Sequence, residues 1–355
     1  MMTPVKRVNR FFMIATAPFL GMLICLWLYR PPLQVNLEAL NYRPAGGPSP
    51  QIAQIGAGLA AAQSLASETI DSIGTSAKLY RETTAAMNAL VATAKAQVAR
   101  PAVIYNRRIT SKLGIPYERI QSDRITIELF KLNPGTYRGY AMKIRLKDPS
   151  AMTMSLGKDK FGESETTMQA VMRYGAVAGI NAGGFADKEG KRYPLSTTVL
   201  GGKYLTGFES SYKDLSFVGL NKSGKLIGGK FFSKYQLDQL EPQFGATFVP
   251  VLLKNGAKQP IPQKWQQSPK RAPRTVISRY KDDQMLVVVV DGYNENGSSG
   301  ATLEELQNKL YLMGVIDAYN LDGGGSSSLI VNGRVVNKPS DGQLRPVPTH
   351  FLFFK

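Results

Sequence analysis

An uncharged run from Phe11 to Tyr29 opens the chain, preceded by Lys6, Arg7 and Arg10 and closed by Arg30. Its nineteen residues would rise to roughly 28 Å as a helix, close to the thickness of a hydrocarbon core. A secretory leader shares the basic start and apolar middle. Its core is usually shorter, however, and Arg30-Pro31-Pro32 stands where a small-x-small cleavage site would follow. The pattern therefore predicts an uncleaved membrane anchor over 1–30. The flanking charges then leave the N-terminus in the cytoplasm and everything after Arg30 outside.

Residues 31–50 are rich in Pro, Gly and Asn and read as an extended linker. From Gln51 to Ala99 the composition shifts to Ala, Ser and Thr, with Ile52, Ile55, Leu59, Leu65, Ile70, Ile73 and Leu90 loosely at helical spacing. One or two helices are expected, with a break at Gly74. They would form a stalk or spacer, or alternatively bind a partner. Gly56-Ala57-Gly58-Leu59-Ala60-Ala61 matches the dinucleotide fingerprint, but no strand precedes it, so the match is accidental.

Beyond Pro101 the period changes. Arg124–Leu132 and Gly139–Leu146 alternate as strands do, and Glu163–Tyr174 places Met168, Val171 and Met172 on one helical face. Strand-like pieces recur at 177–180, 197–200, 215–220, 248–253, 274–278 and 285–290. A helix is expected over Leu303–Met313, because Thr302 and Glu305 stand at capping-box spacing. Further strands close the chain at 328–331, 334–336 and 349–354. These elements predict an α+β fold, with one strand-rich, mixed-sheet domain and inserted helices over 102–355. It would follow the transmembrane helix (1–30) and the linker and Ala-rich helical stalk (31–101).

Charge narrows the choice of partner. The 355 residues carry a formal charge of +18, and from residue 101 onward 35 Lys and Arg face 22 Asp and Glu. An anionic partner fits such a body. The basic residues are scattered, with no zinc finger, RNP motif or basic helix, so no nucleic acid is expected. The lone Cys25 excludes a disulfide framework, and the lone His350 excludes His-cluster metal sites.

Four segments join small and polar residues to the ends of apolar strands, where backbone can approach a ligand. Val177–Phe185 ends a strand in Asn181, followed by Gly183 and Gly184; a hairpin turn would look similar. Arg274 opens a strand within Arg271–Ile277, where its guanidinium is able to grip a phosphate or simply face solvent. Leu286–Gly292 is a wholly apolar strand that delivers Asp291, in either a functional or a turn-forming role. Ala318–Leu329 contains Asn320, Asp322, Gly323-Gly324-Gly325 and Ser326-Ser327, which read as a nest of exposed amides with a carboxylate at its lip. Neither GxxxxGK[ST] nor GxSxG is present, which argues against a Walker A loop and a serine nucleophile.

The order and spacing of these blocks resemble the phosphodiester glycosidase family over roughly 120–355. The blocks are Asn181 to Phe185, Arg274-Thr275, Asp291-Gly292, Ala301 to Leu306 and Asn320 to Ser327. The tail from Val331 to Asp341 and Arg345-Pro346-Val347-Pro348 adds to them. A single Phe185 after Gly184 departs from the usual Gly-Phe-Phe. The resemblance implies cleavage between a sugar's anomeric carbon and a phosphate esterified elsewhere. The substrate would be a glycosyl-1-phosphodiester in a cell-surface glycan or related metabolite, met outside the membrane.

It implies Asp322 and Asp291 as the working carboxylates, with Glu304 in reserve. Arg274 and the 323–326 nest would hold the phosphate, with Asn181, Gly183, Gly184, Asn320 and Ser327 around the substrate. No cofactor is implied, although Asp291, Asp322 and Asn320 offer oxygens suited to calcium or magnesium. The alternative function is a non-catalytic binder of an anionic wall polymer or exopolysaccharide.

Overall fold

The structure, a computed structural model, describes residues 4–29, 50–293 and 299–355. The chain divides into two compact units, Met1–Met87 and Asn88–Lys355. The first contains a helix at Pro4–Leu28 with Pro18 inside it. Among the described residues no helix is long and apolar enough to cross a membrane. The expected anchor falls in part on Phe11, Phe12, Ile14, Ala15 and Leu26, whose side chains lie outside the described ones. The expected linker likewise lies outside them up to Pro50.

A helix of 64 residues, Pro50–Leu113, replaces the broken stalk. It runs through Gly74 and past Pro101. A helical glycine costs only about 1 kcal/mol relative to alanine, too little to stop so long an element. Its last turns enter the core of the second unit through Ile109 and Leu113.

An eight-stranded sheet organises the second unit. Its strand order is Glu118–Gln121, Ile125–Leu132, Gly139–Leu146, Met285–Val290, Arg274–Arg279, Asp317–Leu321, Val251–Lys254 and Ala257–Lys258. Among the described residues two five-stranded sheets and one hairpin complete it, and every pair of strands is antiparallel rather than mixed. Two cores explain the wholly apolar Met285–Val290. Met285, Val287 and Val289 point into one with Ile180, Phe351 and Phe353 of a neighbouring sheet. Leu286, Val288 and Val290 point into the other with Leu306 and Leu310 of the helix Leu303–Leu312. Period-two alternation thus feeds both faces of a sheet covered on both sides.

Several boundaries differ from those expected. The helix expected from Glu163 starts at Thr167, because Thr166 caps it reciprocally with Gln169. Glu165 instead bridges to Val347. The strand expected over 248–253 is two strands in different sheets, Pro242–Phe248 and Val251–Lys254. They part at Val249-Pro250, where proline supplies no N–H to a ladder. Leu303–Leu312 forms with its predicted Thr302–Glu305 capping box.

Register brings the candidate site together. Arg274 pairs with Val290 on one side, and Thr275 pairs with Leu321 on the other. Met285–Val290 and Asp317–Leu321 are each antiparallel to the strand between them, so they run the same way and end at the same sheet edge. Asp291 and Asp322 therefore emerge on either side of Arg274, two strand spacings or about 10 Å apart at the backbone.

Candidate active site

Asn181 ends the strand Ala178–Asn181 and is fully buried. Its Nδ2 donates to the Asp322 carbonyl at 2.7 Å. Its Oδ1 accepts from Thr275 Oγ1 at 2.9 Å and from the Ser328 amide at 3.1 Å. One side chain thus ties three sequence-distant segments together and fixes the backbone that carries Asp322. Gly183 and Gly184 are framework too: their amides donate to Thr349 Oγ1 at 3.2 Å and to the Thr247 carbonyl at 3.0 Å.

The loop after Asp322 is not an array of exposed amides. Gly323 donates to Asp322 Oδ1 at 3.1 Å, and Gly324 donates to the Pro273 carbonyl at 2.9 Å. Ser326 and Ser327 donate back to the carbonyls of Gly323 and Gly324, closing a 3₁₀ turn over Gly324–Ser326. Backbone amides seek partners wherever they lie, and this glycine run finds them within the protein. The Ser326 and Ser327 hydroxyls are buried and make no hydrogen bond among the described residues. What the glycines provide is close approach. A Cβ at Gly323 would stand 2.9 Å from the Pro273 carbonyl oxygen, and one at Gly325 would stand 2.2 Å from both Arg345 Nη2 and Asp341 Oδ2.

Arg274 does not take the solvent-facing or phosphate-gripping position expected of it. Arg274 is 5% exposed and donates to the carbonyls of Pro269 at 2.9 Å and Ala301 at 3.5 Å. Loss of solvent lowers its pKa to about 10. Its guanidinium braces two loops from inside. Arg345 lies directly over Gly325, paired with Asp341 at 2.8 Å, and is the arginine at the surface of the Asp322 loop. The signal for it in the sequence is faint: an Asp and an Arg at i,i+4 before Pro346-Val347-Pro348 and the last strand.

Asp291 is half-buried, and its Oδ1 accepts from the Lys338 amide at 2.8 Å. It borders a cavity of about 450 Å³ shared with Arg138, Arg271, Tyr293 and Lys338. Burial raises its pKa above the usual carboxylate range, against the Lys338 amide and the Lys338 and Arg138 charges, which pull the other way. Glu304 is exposed on its helix and does not line this cavity. Its neighbour Glu305 is the engaged carboxylate, capping Thr302 and pairing with Arg271 at 2.9 Å. Asn320 is buried, with Nδ2 on the Val249 carbonyl at 2.6 Å.

His350 is wholly buried and bonds through Nδ1 to Thr167 Oγ1 at 3.1 Å. Burial lowers its pKa to about 3, so the imidazole stays neutral inside the framework. Among the described residues no three His, Cys, Asp or Glu side chains converge as a metal centre requires. The two strand ends thus deliver Asp291, desolvated beside Arg138 and Lys338 in its cavity, and Asp322, on backbone held by Asn181; Asp322 and Arg345 do not line that cavity. Such a set suits transfer from a substrate that carries negative charge.

A model of the family described as phosphodiester glycosidase matches residues 174–354. The SPbeta prophage-derived uncharacterized protein YomE of Bacillus subtilis is 39% identical over 75 residues, which is 21% of this chain and 12% of that protein. N-acetylglucosamine-1-phosphodiester alpha-N-acetylglucosaminidase of Bos taurus is 37% identical over 68 residues, which is 19% of this chain and 12% of that protein. The matched stretches therefore span only 12% of either relative's length. The zebrafish catalytic domain of the same-named enzyme, solved auto-inhibited by its pro-peptide, has a TM-score of 0.54 at 19% identity. That likeness covers 68% of this chain and 87% of the other, and at such identity it is one of fold.

Proposed function

The chain belongs to the phosphodiester glycosidase family, and on that premise we propose that it hydrolyses the sugar–phosphate bond of a glycosyl-1-phosphodiester. The observation that carries the reading is the delivery of Asp291 and Asp322 to one sheet edge on either side of Arg274. In the reaction a water oxygen bonds to the anomeric carbon, and the bond from that carbon to the phosphate oxygen breaks. The electron pair leaves with the phosphate, and the water proton passes to a carboxylate. A phosphate monoester has a second pKa near 6, so it leaves with little protonation and the larger task is to hold its growing charge. We assign that task to Arg138 and Lys338 beside Asp291 and to Arg345 beside Gly325, whereas Arg274 bonds to the carbonyls of Pro269 and Ala301.

Asp322, whose backbone carbonyl Asn181 holds, is assigned activation of the attacking water, as the carboxylate that takes its proton. Asp291, with its raised proton affinity, is assigned proton transfer or stabilisation of the oxocarbenium-like transition state. Residues 11–29 would tether this domain at the outer face of a membrane, in keeping with their uncharged run and basic flanks. The test is release of free reducing sugar from a panel of sugar-1-phosphodiesters, UDP-sugars included. Wild type should turn over at least one, and Asp322→Asn should lose roughly 100-fold or more of that rate with its melting curve preserved. Tight binding of anionic glycans without release would select the non-catalytic binder instead.

A further inference from the structure

From Pro50 to Val98 the described side chains of the long helix are all exposed. Written as heptads with Ile52 at a, its a positions to Met87 are Ile52, Leu59, Ala66, Ile73, Tyr80 and Met87, apolar without exception. Ile55 falls at d, Leu65 and Leu79 at g, and Ile70 at e. The charged side chains of the same stretch, Glu68, Asp71, Lys78, Arg81 and Glu82, all fall at b, c or f on the opposite side. A seven-residue repeat at a, held over five heptads, keeps its stripe in line only when the helix supercoils against a partner.

We propose that Ile52–Met87 pairs with the same segment of a second copy of this chain as a coiled coil. Two observations favour a copy over a different partner. No e or g position from Ile52 to Met87 carries a charge, so the positions that select a complementary partner select none. The exposed area is also sufficient. The nine large apolar side chains of the stripe are 59–76% exposed. At roughly 60–120 Å² each when fully buried, they supply about 600 Å² per helix and about 1,200 Å² for two, the lower range of a stable interface. The small d residues Ala62, Thr69, Ser76 and Thr83 let the backbones approach.

The test is the mass of the full chain by sedimentation in mild detergent, with reductant present because Cys25 is exposed. Wild type at micromolar concentration should show at least twice the 38.8 kDa of one chain. The double substitution Leu59→Lys/Ile73→Lys should at least halve that mass and leave the melting of the Asn88–Lys355 unit unchanged. Ala85→Lys, at an outer f position, should keep the wild-type mass. A one-chain mass for wild type would overturn the proposal, as would a double variant that stays associated. Equal dissociation of Ala85→Lys would do the same.

Discussion

At Gly325 the absence of one carbon permits a close contact. The Arg345–Asp341 pair occupies the space where a Cβ would lie, 2.2 Å from each. Both are side-chain ends that are able to swing away, so Gly325→Ala should fold with a change of about 1 kcal/mol or less in urea denaturation. Turnover should nevertheless fall about 100-fold, the scale of a 1 Å misplacement. Asp291 supplies a second prediction at this scale. Its folded-state pKa is raised, so its contribution to stability is present below the unfolded value and lost as pH rises through the folded one. Asp291→Asn should therefore melt higher than wild type at neutral pH, with the difference closing as pH falls into the carboxylate range. That an apolar run ends at Asp291 was legible in the sequence, whereas the inward turn of Arg274 onto the Pro269 and Ala301 carbonyls was not. Arg345 was not, since its importance lies in a contact with a loop about twenty residues earlier. Nor does a triple glycine reveal whether its amides face a ligand or, as here, the protein.

Among the elements, the ones read correctly are those with a local cause: the capping box of Leu303–Leu312 and the apolar run of Met285–Val290. Asp317–Leu321 was harder, because a fully buried central strand contains Asp317 and Asn320. Their partners, Arg279 at 2.7 Å and the Val249 carbonyl at 2.6 Å, come from other strands and loops. A similar polar tie joins the end of the long helix to the sheet. Lys143 and Glu128 are each 3% exposed and paired, and Lys143 also donates to Asn106 of the helix. Lys143→Met should cost about 3 kcal/mol in urea denaturation, because it removes the buried one of the two cations, Lys143 and Arg119, that hold the Glu128 carboxylate. Adding Glu128→Gln should recover part of the loss. Recovery of nothing would mean that packing, not the charge, sets the cost.

At the scale of the whole molecule, the basic body, the strand ends that carry Asp291 and Asp322, and the family assignment are what the proposed sugar-phosphodiester substrate rests on. The number of sheets was not legible in the sequence. Which strands neighbour one another follows from pairings such as Leu329–Val331 with Ala178–Asn181, about 150 residues apart, and no local pattern encodes them. The same pairings put Asn181 beside the Asp322 loop, and so they build the site. The central claim concerns which bond is broken, and hydrolysis in ¹⁸O-labelled water reads that directly. The account predicts that the label enters the released sugar at its anomeric oxygen and that the phosphate product stays unlabelled. Label in the phosphate, with the sugar unlabelled, would mean attack at phosphorus and would contradict it.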